Sequence, residues 1–403
     1  MKLKKLSLCI LSLPFLMLAC HSPVQNAAAR TPGFDDPVKM APTTLIYDTL
    51  NDNARNIIDQ LDNFYRAQVR AGFNGQVLVA HKGKIIYERY FGVANREKKI
   101  PVTFNSSSQL ASVSKTFTGA AILYLHEHKM LNIDYPVQHY LKEFPYKGIS
   151  LRMLLNHRSG LPDYTKWVPS YQKDVRTPIS NEQMVALMAQ HKPRIEANPD
   201  RRFKYCNTNF ALLARIVEIV TNMSYADFMQ RHIFGPLGMT NTFVYDPWKG
   251  LPGNATISYK ANWIKEPDMF ADGVTGDKGI YSTVQDMFRW DQSLYNNTLL
   301  SNEMIEQSYG PCSFEKPGIK NYGLGWRMLC YPNGNKVIYH NGWWHGNNAS
   351  FIRMIPEDIT IIVLGNRFNK SIYKTKYLVG AFNQKLTPVK EEEGDSAKSG
   401  GSH

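Results

Sequence analysis

Between residues 55 and 70, apolar positions recur at helical intervals. Ile57, Ile58, Leu61, Phe64 and Tyr65 fall on one face, which predicts an amphipathic helix. The period then changes. Gly75-Gln-Val-Leu-Val-Ala80 and the apolar run at 85–91 flank His81-Lys-Gly-Lys84, a β-hairpin signal. Helical spacing returns with Phe117, Ala120, Ala121, Leu123, Tyr124 and Leu131, predicting a helix over about 112–131. Residues 150–209 are rich in turn formers, with one helix near 181–190. Strongly apolar helices are expected at 210–221 and 225–233. The last third reads as strands at 336–340, 349–355 and 360–364, followed by a helix over 372–386.

Strand–helix–strand alternation of the parallel kind is missing from this order. The expected class is therefore α+β. An antiparallel sheet is assembled from both ends of the chain, flanked by N- and C-terminal helices, with an all-α lobe inserted between. A site is expected in the cleft between sheet and lobe.

Composition adds little to this picture. The 403 residues are 43% hydrophobic and 20% charged, an ordinary globular balance. No linker, low-complexity tract or internal repeat divides the middle, so one unit of two interleaved lobes is expected over 46–387.

The ends are different. Lys2, Lys4 and Lys5 precede a short apolar run over 6–18 that contains Pro14 and leads to Ala19-Cys20. Residues 1–20 thus read as an export signal, too short to be a membrane span. Leu16-Met-Leu-Ala-Cys20 resembles a lipoprotein cleavage box, which makes Cys20 the expected lipid site and membrane anchor in the cell envelope. An ordinary secretory cut near Ala27-Ala-Ala29 is the alternative. Residues 21–45 read as a tether and 388–403 as a disordered tail.

The formal charge of +13 meets no basic block interleaved with aromatics. Nucleic acid is therefore not an expected partner, and an anionic envelope surface suits the charge better. Cys206, Cys312 and Cys330 remain after the signal. Cys206 reads as a small buried hydrophobe. An oxidising compartment permits a Cys312–Cys330 bridge. No Cys/His group has metal-site spacing.

Chemistry enters with Gln109-Leu-Ala-Ser-Val-Ser-Lys-Thr-Phe-Thr-Gly119. If Ser112 opens a helix, Lys115 lies one turn on and on the same face. A serine hydroxyl needs a neighbouring base to become a nucleophile, and a lysine whose surroundings favour its neutral amine can be that base. Ser114 is a rival by proximity, but it points to another face. In Phe203-Lys-Tyr-Cys-Asn-Thr-Asn209, Tyr205 can move protons and Asn207 can donate its side-chain amide to Lys115 or to a substrate carbonyl. In Val337-Ile-Tyr-His-Asn-Gly-Trp-Trp344, Gly342 would allow close approach, and His340 would offer a polar or cationic contact. The N–H of Trp343 would join that of Ser112 as an oxyanion hole. Trp343 and Trp344 would either belong to the core or wall the cleft, and their place just past the catalytic strand favours the cleft. His157 is expected to hydrogen-bond a loop near the site.

Ser112/Lys115, Tyr205/Asn207 and His340/Gly342 stand in the order Ser-x-x-Lys, Tyr-x-Asn and Lys/His-x-Gly. In this the chain resembles the serine β-lactamase and penicillin-binding-protein superfamily, on its class C β-lactamase-like branch. Leu154-Leu-Asn-His-Arg-Ser-Gly-Leu-Pro-Asp163, Phe234-Gly-Pro-Leu-Gly-Met239, Gly276-Asp-Lys-Gly-Ile-Tyr-Ser282 and Tyr322-Gly-Leu-Gly-Trp326 also look typical of that branch. The resemblance covers about 50–386. It implies an exported serine hydrolase that forms an acyl-enzyme on Ser112, with Lys115 and Tyr205 moving protons. Asn207, His340, Gly342 and Trp343 would contact the substrate. No cofactor and no metal are implied. Amide, peptide and ester substrates all stay open.

His340 stands where such enzymes usually carry a lysine. Histidine is mostly neutral at pH 7, so recognition of a substrate carboxylate is expected to be weaker or different. A catalytically idle protein that binds cell-wall peptide or β-lactam is the other reading of the same motifs.

Overall fold

The computed structural model describes residues 52–383. The expected export signal, Cys20, the tether and the tail lie outside the described residues, as do the expected domain limits at 46 and 387.

Both ends of the described chain meet in one antiparallel seven-stranded sheet. In spatial order its strands are Lys84–Phe91, Gly75–His81, Ile359–Gly365, Asn347–Met354, Lys336–Trp344, Arg327–Cys330 and Lys320–Tyr322. Register sets Val77 opposite Val363 and Val79 opposite Ile361. Every residue of Ile359–Gly365 and Asn347–Met354 is buried, because both faces of the sheet are covered.

On one face lie the helix Asp52–Arg70 and the C-terminal segment. Leu61, Tyr65, Ile372 and Leu378 pack there against Val77, Val79, Ile361 and Val363. Each such side chain contributes about 1.5–3 kcal/mol on burial. Thr360 is one residue out of phase and points to the other face. There its hydroxyl donates to Asp291 Oδ2 at 2.8 Å, and Arg353 Nε donates to Asp291 Oδ1 at 2.6 Å. Asp291 belongs to the helix Val284–Tyr295, which covers this face.

That helix also joins the inserted helical lobe. Trp290 stacks on Phe117 at 4.4 Å, and Phe117 meets Phe234 edge-on at 5.8 Å. Phe117 lies on the helix Ser114–Glu127, where every residue from Ser114 to Leu125 is buried. A helix buried on all sides belongs in the middle of a lobe. Around it stand Asn181–His191, Asn207–Thr221 and Tyr225–Met229.

The architecture is the expected α+β class, with several local differences. The α-helix begins at Ser114, and Ser112 sits in a preceding 3₁₀ turn, Ala111–Val113. The strand expected at 336–340 continues to Trp344, so His340, Gly342 and Trp343 lie within it. The expected helix over 372–386 is a 3₁₀ run, Lys370–Leu378, followed by the short α-helix Val379–Phe382. The helix Val284–Tyr295 and the strands Lys320–Tyr322 and Arg327–Cys330 were not expected. Cys312 and Cys330 are free thiols. Cys312 N–H donates to Tyr322 O and Cys330 N–H to Ile319 O, three residues along the edge strand. That separation is too great for a bridge.

Candidate active site

Ser112 is presented by strained backbone. Ala111, just before it, has φ +48°, which costs a residue with a Cβ about 1–3 kcal/mol. The turn is held from outside the helix by Leu110 N–H, which donates to Ile280 O at 2.8 Å. Across from it runs the Lys336–Trp344 strand. Its neighbour Arg327–Cys330 pairs only with residues 336–339, so the stretch from His340 onward is left beside the Ser112 turn. Gly342 passes that turn at close range. A Cβ there would stand 2.2 Å from Leu110 O and 3.0 Å from Ser112 N. Only glycine fits. Trp343, the next residue, pairs with Asn348 on the other side.

Lys115 is fully buried. Its Nζ lies 3.2 Å from Ser112 Oγ, 2.8 Å from Asn207 Oδ1 and 2.8 Å from the Asp277 carbonyl. Both oxygens other than Ser112 can only accept. They take two N–H bonds, which in a neutral amine leaves the lone pair for the Ser112 hydroxyl proton.

The Asn207 amide is oriented by Asp163. Asp163 Oδ2 accepts from Asn207 N–H at 3.0 Å and from Asn207 Nδ2 at 3.1 Å. The carboxylate thereby occupies the N-terminus of the helix Asn207–Thr221 and turns Asn207 Oδ1 toward Lys115.

Tyr205 comes next to this group through its ring, whose centroid is 4.9 Å from Lys115 Nζ. Among the described residues, no hydrogen bond joins its hydroxyl to Ser112 or Lys115. Arg327 also meets this ring, with the guanidinium carbon 4.9 Å from its centroid.

His157 holds this turn, as expected. Its Nδ1 accepts from Cys206 N–H at 3.2 Å and faces Asn209 Nδ2 at 3.1 Å, while its ring packs 4.3 Å from that of Tyr205. Cys206 is buried, and burial pushes its thiol up to about 12. Ser114, the rival nucleophile, faces elsewhere: its Oγ accepts from Ile280 N–H at 3.2 Å.

His340 differs from expectation. It is fully buried rather than presented to a substrate. Its Nδ1 lies 2.8 Å from Asn341 O, so that nitrogen carries the proton, and Nε2 accepts from the Tyr322 hydroxyl at 3.1 Å. Burial lowers the His340 pKa well below the usual value, and the charge of Arg327 lowers it further. Enclosure and the lowered pKa favour the neutral ring, against the cationic contact expected of His340. Arg327, on the adjacent strand and half-buried, is the cation at this place.

The two tryptophans are half-buried and anchored by their indole N–H groups. Trp343 Nε1 donates to His345 O at 2.8 Å and Trp344 Nε1 to Asp272 Oδ1 at 2.7 Å.

Five residues of the site carried no assigned role in the sequence reading: Asp163, Asp277, Lys278, Tyr322 and Arg327. Each stands in or beside a glycine-containing stretch that had been noted for its resemblance alone. A charge among glycines and apolar residues was the available signal.

The sequence matches the family described as Beta-lactamase over residues 56–380. It is 33% identical to Penicillin-binding protein 4* of Bacillus subtilis (strain 168), over 77% of this chain and 71% of that one. A D-aminopeptidase of Brucella anthropi is 25% identical over 73% of this chain and 56% of its own length. Among solved structures, a penicillin binding protein from Bacillus halodurans superposes with a TM-score of 0.69 at 21% identity, covering 82% of this chain and 99% of its own. A class C beta-lactamase gives 0.67 at 20% identity, covering 85% and 100%. At these identities the structural likeness speaks for the fold.

Proposed function

The chain belongs to the Beta-lactamase family, and from that premise we propose that it is an exported serine hydrolase forming an acyl-enzyme on Ser112. Its substrates are amides, peptides or esters. The observation that carries this reading is the surroundings of Lys115 Nζ: two obligate acceptors, and the Ser112 hydroxyl in the third position.

In the proposed reaction, an extended substrate lies beside the free stretch of the Lys336–Trp344 strand. Its carbonyl oxygen meets the backbone N–H groups of Ser112 and Trp343. Ser112 Oγ attacks the carbonyl carbon while its proton passes to Lys115 Nζ. The C–O or C–N bond to the leaving group breaks, and the leaving group takes a proton from the Lys115–Tyr205 side. Water then adds to the acyl carbon, the ester to Ser112 breaks, and the Ser112 hydroxyl reforms.

With His340 neutral and enclosed, recognition of an acidic substrate group falls to Arg327. This suits substrates that carry a carboxylate, whether a peptide terminus or a β-lactam, while compact esters would not depend on it. The D-aminopeptidase and penicillin-binding names of the relatives agree with a cell-wall-type peptide.

Export and anchoring through lipidated Cys20 are part of the same proposal, supported by the residues around Cys20. The mass of the protein recovered from membranes tests it. A diacylated N-terminal cysteine supports anchoring, and a cut near Ala27–Ala29 contradicts it.

The substrate class is tested by exposing the mature protein to a penicillin, a D-amino-acid amide and a short acyl ester, with Ser112→Ala beside it. Turnover of the amide or ester that disappears in the variant supports the reading. Binding of penicillin or peptide without any covalent adduct would instead support an idle binding protein.

A further inference from the structure

Two buried lysines share this pocket. Lys278 is 3% exposed and follows Asp277, whose carbonyl carries Lys115. The partners of Lys278 require an ammonium, whereas those of Lys115 also accommodate a neutral amine.

Lys278 Nζ donates to Tyr164 Oη at 2.7 Å, to Val274 O at 2.8 Å and to Ala271 O. The two carbonyls can only accept. The Tyr164 hydroxyl spends its own proton on Asp277 Oδ2, at 3.2 Å, and so accepts from Lys278. Three acceptors require three N–H bonds, which only the ammonium has. Lys115 has two obligate acceptors and can be neutral. Lys278 therefore carries the charge, although burial draws its pKa below the usual lysine value, opposed by Asp277 and Asp272.

Asp277 is 2% exposed. One carboxylate oxygen receives the Tyr164 proton, and the other has no hydrogen bond and lies 3.7 Å from Lys278 Nζ. Without Lys278, this carboxylate would be an uncompensated buried charge one peptide unit from Lys115. It would favour the ammonium form of Lys115 and block its use as a base.

We propose that Lys278 is a positioning residue for the chemistry at Ser112: its ammonium balances the buried Asp277 carboxylate, so that Lys115 is left neutral to take the serine proton. The proposal rests on Ser112 being the nucleophile. Lys278 also pins the Asp277 backbone by tying it to the 271–274 turn, so charge and geometry act together.

Other charged and titratable groups surround the pair. Asp163 faces Lys115 through Asn207, and Asp272 faces Lys278 and pairs with His345 at 2.9 Å. Tyr205, His157, His340 and Arg327 lie on the strand side of Lys115. None of these is altered by the substitutions below, so each contributes equally before and after.

The test is the pH dependence of the second-order rate at which a fluorophosphonate inactivates the protein, measured for the unsubstituted chain, Lys278→Met, Asp277→Asn and the double variant. The acid limb of that profile should move up by about one pH unit in Lys278→Met and down by a similar amount in Asp277→Asn. It should return near its original position in the double variant. If Lys278→Met does not fold, the downward shift in Asp277→Asn carries the test. Limbs that stay in place while the rates fall would reduce Lys278 to a structural brace and overturn the proposal. If the unsubstituted protein is not inactivated at all, Ser112 is not the nucleophile, and both the functional reading and this proposal fall together.

Discussion

Gly342 approaches Ser112 so closely that a side-chain carbon built on it would stand 3.0 Å from the serine's backbone nitrogen. The strand that is to hold the substrate and the turn that carries the nucleophile are thus in direct contact. Gly342→Ala must push them apart, because the second obstruction is the Leu110 carbonyl, which is backbone and cannot swing aside. A displacement of about 1 Å at a reacting centre costs on the order of a hundredfold in rate. The expected outcome is a folded protein whose fluorophosphonate labelling is slower by about that factor. Labelling at the original rate would show that this contact does not set the site.

Burial lowers the pKa of both His157 and His340 well below the usual value of 6.5. The folded state keeps these rings neutral, whereas the unfolded chain takes up protons once the pH drops below about 6.5. The unfolded state then binds more protons, so stability falls as pH falls through that range. Above it, neither ring contributes any pH dependence. Thermal unfolding between about pH 7.5 and 5 checks this. His157→Asn or His340→Asn should flatten the decline relative to the unsubstituted chain, even if each lowers stability at pH 7.5. An unchanged slope in both variants would contradict the assignment of neutral rings.

Arg353 and Asp291 form a buried ion pair that ties the helix Val284–Tyr295 to the sheet, both within 1% side-chain exposure. Removing one partner strands the other charge. Asp291→Ala should cost roughly 3–5 kcal/mol in a urea or guanidinium titration. The double change Asp291→Ala with Arg353→Met should recover part of that loss, since no uncompensated charge is left behind.

Much of the sheet was legible because its strands carry patterns that depend on few distant partners. Val77 and Val79 alternate into one face, and the run 361–364 is apolar throughout because both faces are covered. The helix Val284–Tyr295 was missed since its buried face includes Asp286, Asp291 and Gln292, which read as solvent-facing until their partners are known. The strands Lys320–Tyr322 and Arg327–Cys330 are three and four residues long, too short to establish a period. At the site, Ser112, Lys115 and Asn207 are brought together, but Asn207 accepts from Lys115 through its Oδ1 where an amide donor was expected, because its amide nitrogen is spent on Asp163. The error at His340 came from reading a position without its depth. A polar residue in a strand can face the substrate or the interior, and the choice is made by Tyr322 and Arg327, which are distant along the chain. Lys278 was overlooked for a similar reason. Its sequence neighbours give no sign that Tyr164, more than a hundred residues away, completes its shell.

The most direct measurement is the intact mass of the mature protein after fluorophosphonate treatment, with the adduct mapped by proteolysis and with Ser112→Ala treated in parallel. One adduct per chain, located on Ser112 and missing from a folded Ser112→Ala variant, is the predicted result. An adduct that persists in the variant, on Ser114 or elsewhere, or a protein that takes no adduct at all, would contradict the assignment of Ser112 as the nucleophile.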